Sequence, residues 1–558
     1  MKFDWKWIGK RSPTKMKNKG YSEAGASYRK RSLKSYNASS GSVREDIDYN
    51  NQILRERGRD LYMSTPLAAS AINTVRTNVV GVGLQLRPSI DKDILGMTSE
   101  QAEAWQRQVS NEFSIWADDK RSCDATGMNN FSSIQQLVML SWLMSGDCFV
   151  LLKTKKSSQL RPYQLRLHVI EADRCRTPTD MKLLTQTMTT AIAENGNFIY
   201  DGVEVDSDGL VVAYHFSNRH PGEWGLTQMM AKTEWVRVKA VSQKTGLPNV
   251  IHLMNSERPD QYRGVTYLAP VIEHFRQLGR YTEAELTAAV VEAFFTAFVK
   301  TESDPDDIPF NQTDQYVGSE NEYAMGPGQV NVMKPGEDVV FADPKRPAGG
   351  FDTFVNAICA QIGAALEIPA ELLLKQFNSS YSASRAALLE AWKSFRMRRQ
   401  WLIDDFCKPV YEVWLSEAVA RGRIKAPGFF TDPVIRKAYL GADWIGPSQG
   451  QLDPVKEVTA EILSCSEGFS THEQSTTKLN GGEWDQNIDR LKLENEKLNG
   501  QAPDPHQTGI QKEEQPEESE DQQPADDRSS RKDKLVNMVW EQALKEGNDA
   551  DQGYRRTG

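Results

Sequence analysis

Apolar residues between 351 and 410 fall into two helical patterns joined by a polar link. Phe351, Phe354, Val355, Ile358, Ile362, Ala365 and Leu366 recur at three- and four-residue steps, the spacing of one helix face. Gly349 and Gly350 precede this run. Pro369 is expected to stop it, because its ring lacks an N–H donor and restricts the residue before it. The link, residues 375–384, reads Lys-Gln-Phe-Asn-Ser-Ser-Tyr-Ser-Ala-Ser. A longer pattern follows in Leu388, Trp392, Phe395, Trp401, Leu402 and Phe406, with Arg385, Lys393, Arg396, Arg398 and Arg399 set between them. An apolar helix, a small polar loop and a basic-studded helix are thus predicted, and no catalytic residue set is needed to explain them.

The rest of the chain is organised around this centre. Residues 49–80 hold two helical patterns on either side of Pro66 and end in Gly81-Val82-Gly83. Residues 104–117 and 131–144 read as amphipathic helices with Trp105, Phe113, Trp116, Leu137 and Trp142 as core anchors, after which Gly146-Asp147 opens a strand. Residues 149–255 alternate apolar and polar positions, with turn signals at Asn195-Gly196 and Asp208-Gly209, so they read as half-buried strands. Residues 263–301 form a long helical run with one stripe at Val265, Leu268, Ile272, Phe275 and Leu278. A second stripe lies at Val290, Val291, Phe294, Phe295 and Phe298. About 35 helical residues would span ~50 Å. A helix so apolar toward its end must bury against other helices, whether in an assembly or as an ordinary core helix of a monomer. Residues 302–350 are acidic and rich in Pro and Gly, with short strand candidates at 329–333 and 338–341. Residues 427–453 read as loop and short helix, 454–463 as helix, and short helices follow. Between Glu513 and Asp527 there are eight acids and no basic residue, a composition that buries too little apolar area to fold. Leu535, Val539, Trp540 and Leu544 form a short apolar cluster suited to one helix that docks on a partner.

Composition narrows the classes. A chain of 558 residues supports several cores, and two to four regions are expected. With 39% hydrophobic residues and a mean hydropathy of −0.57, it has the balance of a soluble protein with polar extensions. No run reaches the ~18–20 apolar residues of a membrane span. The nearest candidate, 286–299, is too short and contains Glu292. The N-terminus shows no apolar run of signal-peptide length, so a secretory route is not expected. The six cysteines are scattered without a CxxC pair, which fits a reducing compartment, and Cys148, Cys359 and Cys407 read as small buried hydrophobes. Residues 1–36 carry eleven Lys/Arg and two acids and read as a flexible basic arm, or as an arm that touches nucleic acid or an acidic partner. The net charge of −9 argues against a general nucleic-acid coat, though it does not exclude a channel through which DNA must slide without sticking.

Searches for enzyme chemistry return nothing. No phosphate-loop, dinucleotide, HExxH or GxSxG pattern occurs. His215, His220 and His252 match no zinc spacing and are read as strand-packed or surface side chains. Gly326-Pro327-Gly328 lacks a following Lys-Ser/Thr and a helix start. Carboxylates are abundant without diagnostic spacing. With no phosphate-loop pattern, any step driven by ATP must draw its energy from a separate ATPase.

The stretch ALEIPAELLLKQFNSSYSASRAALLEAWKSFRMRR, residues 365–399, resembles the corresponding segment of lambda-like portal proteins of tailed phages. The resemblance continues in the same order over roughly residues 49–500. It implies an α+β, mainly helical portal fold with wing, stem, clip and crown regions, assembled as a dodecameric ring. The implied regions are an arm (1–48), wing (49–262), stem helix (263–301), clip (302–350), second stem helix (351–369), channel loop (370–384), long spine helix (385–426), crown (427–500) and acidic tail (501–558). The implied channel loop contributes Lys375, Gln376, Asn378, Ser379, Ser380 and Ser382. The implied stem and subunit contacts are Phe294, Phe295, Phe298, Phe354, Ile358 and Ile362. The clip, which receives motor and connector proteins, offers Asp306, Asp307, Lys334 and Asp338.

No cofactor, metal or catalytic residue is implied, and no membrane contact. The implied partners are further copies of this chain, double-stranded DNA, the terminase large subunit, the major capsid and scaffolding proteins, and head-completion proteins. Assembly in the host cytoplasm and residence at one vertex of the virion capsid go with them. Two readings outside the family stay open on the residues alone. One is a monomeric nucleic-acid adaptor using the basic arm with Arg396, Arg398 and Arg399. The other is a metal-dependent nuclease on unrecognised carboxylates.

Overall fold

Local capping chemistry accounts for the helices of the first 145 residues. Helices α1 (Tyr49–Ser64) and α2 (Pro66–Val79) divide at Thr65, and Pro66 takes the first position of α2, where its missing N–H leaves no bond unmade. Strand β1 (Gln85–Pro88) follows. Helix α3 (Ser99–Ala117) opens on a capping box. Thr98 Oγ1 accepts from the Gln101 N–H at 3.3 Å, and Gln101 Oε1 accepts from the Thr98 N–H at 3.0 Å. Helix α4 (Phe131–Ser145) begins at Asn130, which accepts from the Ser133 N–H, and ends at Gly146 in the left-handed region. Trp105, Phe113, Trp116 and Trp142 are buried as expected. Leu137 is not: Ile134, Val138, Met139 and Trp142 form the buried face of α4, and Leu137 falls beside it, 37% exposed.

The computed structural model describes residues 25–26, 30–36, 38–179, 185–186, 189–223, 233–293, 297–299, 330–332, 350–377, 380–450, 454–482 and 484–497. The chain divides into two units, Met1–Asp485 and Gln486–Gly558. Asn378, Ser379, Asp306, Asp307, Lys334, Asp338, Phe294 and Phe295 lie outside the described residues, as do the basic arm before residue 25 and the cluster at 535–544.

The β-rich stretch forms two antiparallel sheets. Strand β2 (Asp147–Thr154) pairs with β3 (Leu165–Ile170). Strands β4 (Thr185–Gln186), β5 (Thr190–Ile192), β6 (Phe198–Tyr200), β7 (Val203–Val205), β8 (Val211–Ser217) and β9 (Trp235–Lys239) then build a six-stranded meander in chain order. The two turn signals hold, with Gly196 and Gly209 at φ of 84° and 86° between successive strands. Strand β10 (Val250–Met254) returns to the first sheet on the free side of β2. Phe149, Tyr200, Tyr214 and Phe216 make a small core between these strands.

The long run at 263–301 is shorter as a helix than its pattern suggested. Helix α5 covers Ile272–Ala293 and is entered through a 3₁₀ turn, Ala269–Val271, that contains Pro270. Beyond it, β11 (Ala297–Val299) pairs in parallel with β12 (Val330–Val332), so Phe298 lies on a strand. The aromatic and β-branched residues that extended the helical stripe also favour strands, and here pairing decides. Strand β12 lies within the candidate at 329–333.

Helix α6 (Phe351–Ala365) stops before Pro369. The Glu367 N–H reaches the Ala364 carbonyl and the Ile368 N–H reaches the Gly363 carbonyl at 2.9 Å, with Glu367 at φ 55°. This paired backbone closure ends the helix. Pro369 instead starts the short helix α7 (Ala370–Leu374). Helix α8 (Tyr381–Leu402) begins at Ser380, so the link narrows to residues 375–380 and Ser382 sits in the first turn of α8. A π turn, Ile403–Cys407, carries α8 into α9 (Lys408–Ala420). Trp392, Phe395, Phe406 and Trp414 line the buried side of this composite helix, and Phe113 meets Trp414 edge-on at 5.0 Å. Strand β13 (Ala442–Ile445), absent from the periodicity reading, pairs antiparallel with β1. Helices α10 (Pro454–Ser466), α11 (His472–Asn480) and α12 (Trp484–Lys497) follow.

Candidate functional site

Two connected features stand out: a buried ionic junction where the β-rich region meets the entry to α5, and the bend that joins α6 to α8. Arg263 is fully buried at the junction. Its guanidinium donates to Asp147 Oδ2 at 2.6 Å and Asp201 Oδ2 at 2.7 Å, and also to the Cys175, Ala172 and Asp201 carbonyls. Arg55 of α1 donates to the same Asp201 oxygen at 2.6 Å, and Arg59 pairs with Asp173 at 2.6 Å. Burial alone would raise Asp147, but the Arg263 and Arg55 charges and the hydrogen bonds from His252 and Arg263 together outweigh it and hold the carboxyl well below the usual range. The chain can pass through this point because Gly146 and Gly264 touch backbone to backbone, and a Cβ on either would collide with the other. Asn51 fixes the crossing by donating to the Gly264 carbonyl at 2.8 Å.

Asp48 lies at the edge of this cluster, 4% exposed, with Oδ1 unpartnered. Burial, and after it the Asp201 carboxylate, pushes Asp48 up to about 6, against the pull of Arg263, Arg44 and Arg55. In the unfolded chain it titrates near 3.8. A raised folded pKa means that its contribution is complete below the unfolded value and is lost as pH rises through about 6. Asp48→Asn should therefore stabilise the protein at pH 8, by about 2 kcal/mol, and give no gain at pH 3.5. Urea midpoints of both proteins at the two pH values check this, and an equal shift at both would refute it.

At the bend, Lys375 is exposed in a left-handed conformation at φ 55°, and the Gln376 N–H returns to the Glu371 carbonyl at 2.9 Å. Ser380 Oγ caps α8 by accepting from the Ala383 N–H. Gln376, Ser380 and Ser382 are exposed. Glu367 accepts from Ser394 at 3.0 Å and from Arg398 at 2.9 Å, which pins the bend to α8. The Tyr267 hydroxyl, near the entry to α5, donates to the Leu366 carbonyl. Ser70 of α2 donates to the Leu373 carbonyl at 2.9 Å. The bend is therefore held from three sides, while Lys375, Gln376 and Phe377 are exposed.

Of the three described stem residues on α6, Phe354 is exposed and packs on Tyr281 of α5 at 4.7 Å between ring centres. Ile358 is half-buried. Ile362 is fully buried in the chain's own core. The three arginines of the adaptor reading do not act together. Arg398 is buried on Glu367, Arg399 is bound to backbone carbonyls, and only Arg396 is exposed.

The histidines are occupied separately. His215 bonds to buried Glu204, His252 stacks on Phe149 at 4.2 Å, and His220 lies 3.8 Å from Asp173. Among the described residues no group of three or more His, Cys, Asp or Glu is arranged to hold a metal ion. No helix among them is long and apolar enough to cross a membrane. What the arrangement offers is mechanical: a buried junction, a helix pair and the bend that follows it.

Comparison with known proteins gives the class. Residues 29–399 match the family model for the lambda family of phage portal proteins, and the chain belongs to that family. Portal protein B of Escherichia phage lambda is 24% identical over 468 residues, covering 80% of this chain and 84% of that protein. The portal protein of Escherichia phage N15 is 23% identical over 448 residues, covering 76% of this chain and 80% of its own length. Among solved structures, a chain from the neck of a native gene transfer agent particle, computed with C12 symmetry, overlaps 78% of this chain and 94% of its own. Its TM-score is 0.36 and its sequence identity 11%.

Proposed function

We propose that this chain forms the ring-shaped portal at one capsid vertex, the conduit for DNA during packaging and ejection. Family membership across residues 29–399 carries this reading. The α5–α6 pair supports it, because Leu286, Val290 and Phe354 stay exposed on two helices that meet each other through Tyr281. In this reading the pair forms the stem, the tip at 375–380 faces the channel, and residues 302–350 form the clip that meets the packaging motor and later the connector proteins. Scaffolding and major capsid proteins surround the ring during assembly, and the chemistry is passive. The purified chain should run as a closed ring of twelve copies, about 755 kDa from a 62.9 kDa subunit, by light scattering and electron microscopy. A monomer at micromolar concentration would sink the reading.

The tip supplies a second measurement. Lys375 is the only cation between Glu371 and Ser384, and DNA held by cations is held through released counterions. Lys375→Glu should leave rings intact while altering packaging or genome retention in particles. Normal packaging and retention would make the tip a simple connection between helices.

A further inference from the structure

One face of α8 opens into a cleft of about 690 Å³, whose far side is the loop after β13 with α10 and α11. Five cationic and three acidic side chains line it. Three of the cations are already neutralised: Arg87 by Glu473, Arg385 by Glu457 at 3.7 Å, and Lys478 by Glu461. Arg396 and Arg399 remain. Arg399 is held in place by the Asn78, Val79 and Pro447 carbonyls at 2.7, 2.9 and 2.8 Å, which orient its guanidinium without supplying a countercharge. Burial, and after it the neighbouring Arg396 charge, push its pKa down to about 10. Among the described residues no carboxylate lies within ion-pair distance of Arg396, which is exposed. Asp443, the remaining acid, is exposed on β13 opposite Arg87.

The cleft is also partly apolar. Leu389 is 46% exposed and Leu388 half-buried, about two turns of α8 before Arg396. We propose that this cleft docks an acidic peptide segment of a protein partner, its carboxylates on Arg396 and Arg399 and its apolar side chains on Leu388 and Leu389. The volume is that of a peptide or small-ligand site. A DNA duplex, whose major groove alone is ~12 Å wide, does not enter. Single strands are favoured by exposed aromatic platforms, whereas Trp392 is 5% exposed with Arg399 over its ring at 5.6 Å. Charge complementarity together with exposed leucines therefore selects a peptide.

The test uses the full chain and two labelled probes, a short peptide of alternating Glu and Leu and a short oligothymidylate, followed by fluorescence anisotropy at low and high salt. The peptide should bind, and high salt should weaken it. Arg396→Glu should weaken it by at least about tenfold, since a favourable charge contact becomes a repulsive one. Leu389→Ala should weaken it too, which simple ion exchange would not show. Arg107→Glu, at an exposed arginine outside the cleft, should leave binding unchanged. Absence of peptide binding, or binding indifferent to both cleft substitutions, overturns the proposal. So does an oligothymidylate that binds more tightly than the peptide and loses its affinity in Arg396→Glu, because the cleft is then a nucleic-acid site. Should Arg396→Glu misfold, Arg396→Gln reports the same loss of charge without reversal.

Discussion

Arg263→Leu should cost about 3–5 kcal/mol, because it strands Asp147 as a buried carboxylate without its arginine and leaves Asp201 with Arg55 alone. Arg263 also satisfies three backbone carbonyls, so the loss is not confined to the ion pairs. Against a typical net stability of about 5–15 kcal/mol, a deficit of that size lowers the thermal midpoint by on the order of 10 °C. Arg263→Lys should fall between the two, since an ammonium keeps the charge but cannot reproduce the planar fork. The comparison is Arg258→Leu. That side chain is 41% exposed and pairs with the 49% exposed Asp46, so its removal should cost no more than about 1 kcal/mol. Equal melting temperatures for Arg263→Leu and Arg258→Leu would refute the account. The consequence reaches α5, because Gly264, Thr266 and Tyr267 continue directly from Arg263 into the turn that starts it. Tyr267 is bonded in turn to the bend at Leu366, so the junction and the tip are linked by one continuous set of contacts.

Elements set by neighbouring residues were legible in the sequence. The two turn glycines of the meander act within a few positions and marked their turns, whereas the apolar period marked the helix bodies at 104–117 and 131–144 but not the caps at Thr98 and Asn130, so α3 begins at Ser99. What escaped depends on partners far along the chain. Arg263 meets Asp147 across 116 residues and Asp201 across 62, and no spacing rule connects them. Strand β13 is a strand because β1 lies beside it. The end of α6 was misplaced for a different reason. Its left-handed closing residue is Glu367 where glycine is usual, so the visible signal was Pro369, four residues past the last helical one. Phe298 shows the converse, in that its stripe continued while the chain had already left the helix for β11. At the tip the sequence placed Lys375, Gln376 and Ser380 in the link, yet Ser382 belongs to α8 because the Ser380 hydroxyl starts that helix two residues earlier.

The stem faces give the second large effect. Tyr281 joins α5 to α6 by stacking on Phe351 at 5.6 Å and meeting Phe354 at 4.7 Å, so the pair is fixed within one chain. Leu286 and Val290 stand one turn apart on α5, 66% and 46% exposed, and contribute little to that packing. The double substitution Leu286→Asp, Val290→Asp should therefore leave the subunit folded, with its circular dichroism spectrum and melting temperature close to the parent's. In a closed ring the same positions would be covered by a neighbouring stem, and each charge would lose its water without gaining a partner. Every subunit contributes to two such contacts, so the penalty is paid at every interface around the ring and closure fails as a whole. The expected result is a fall from a ring of about 755 kDa to a 62.9 kDa subunit by light scattering. Rings that persist with both aspartates in place would mean that this face of α5 looks into solvent in the assembly, and the subunit contact would then have to be sought on the other side of α6, around Phe354.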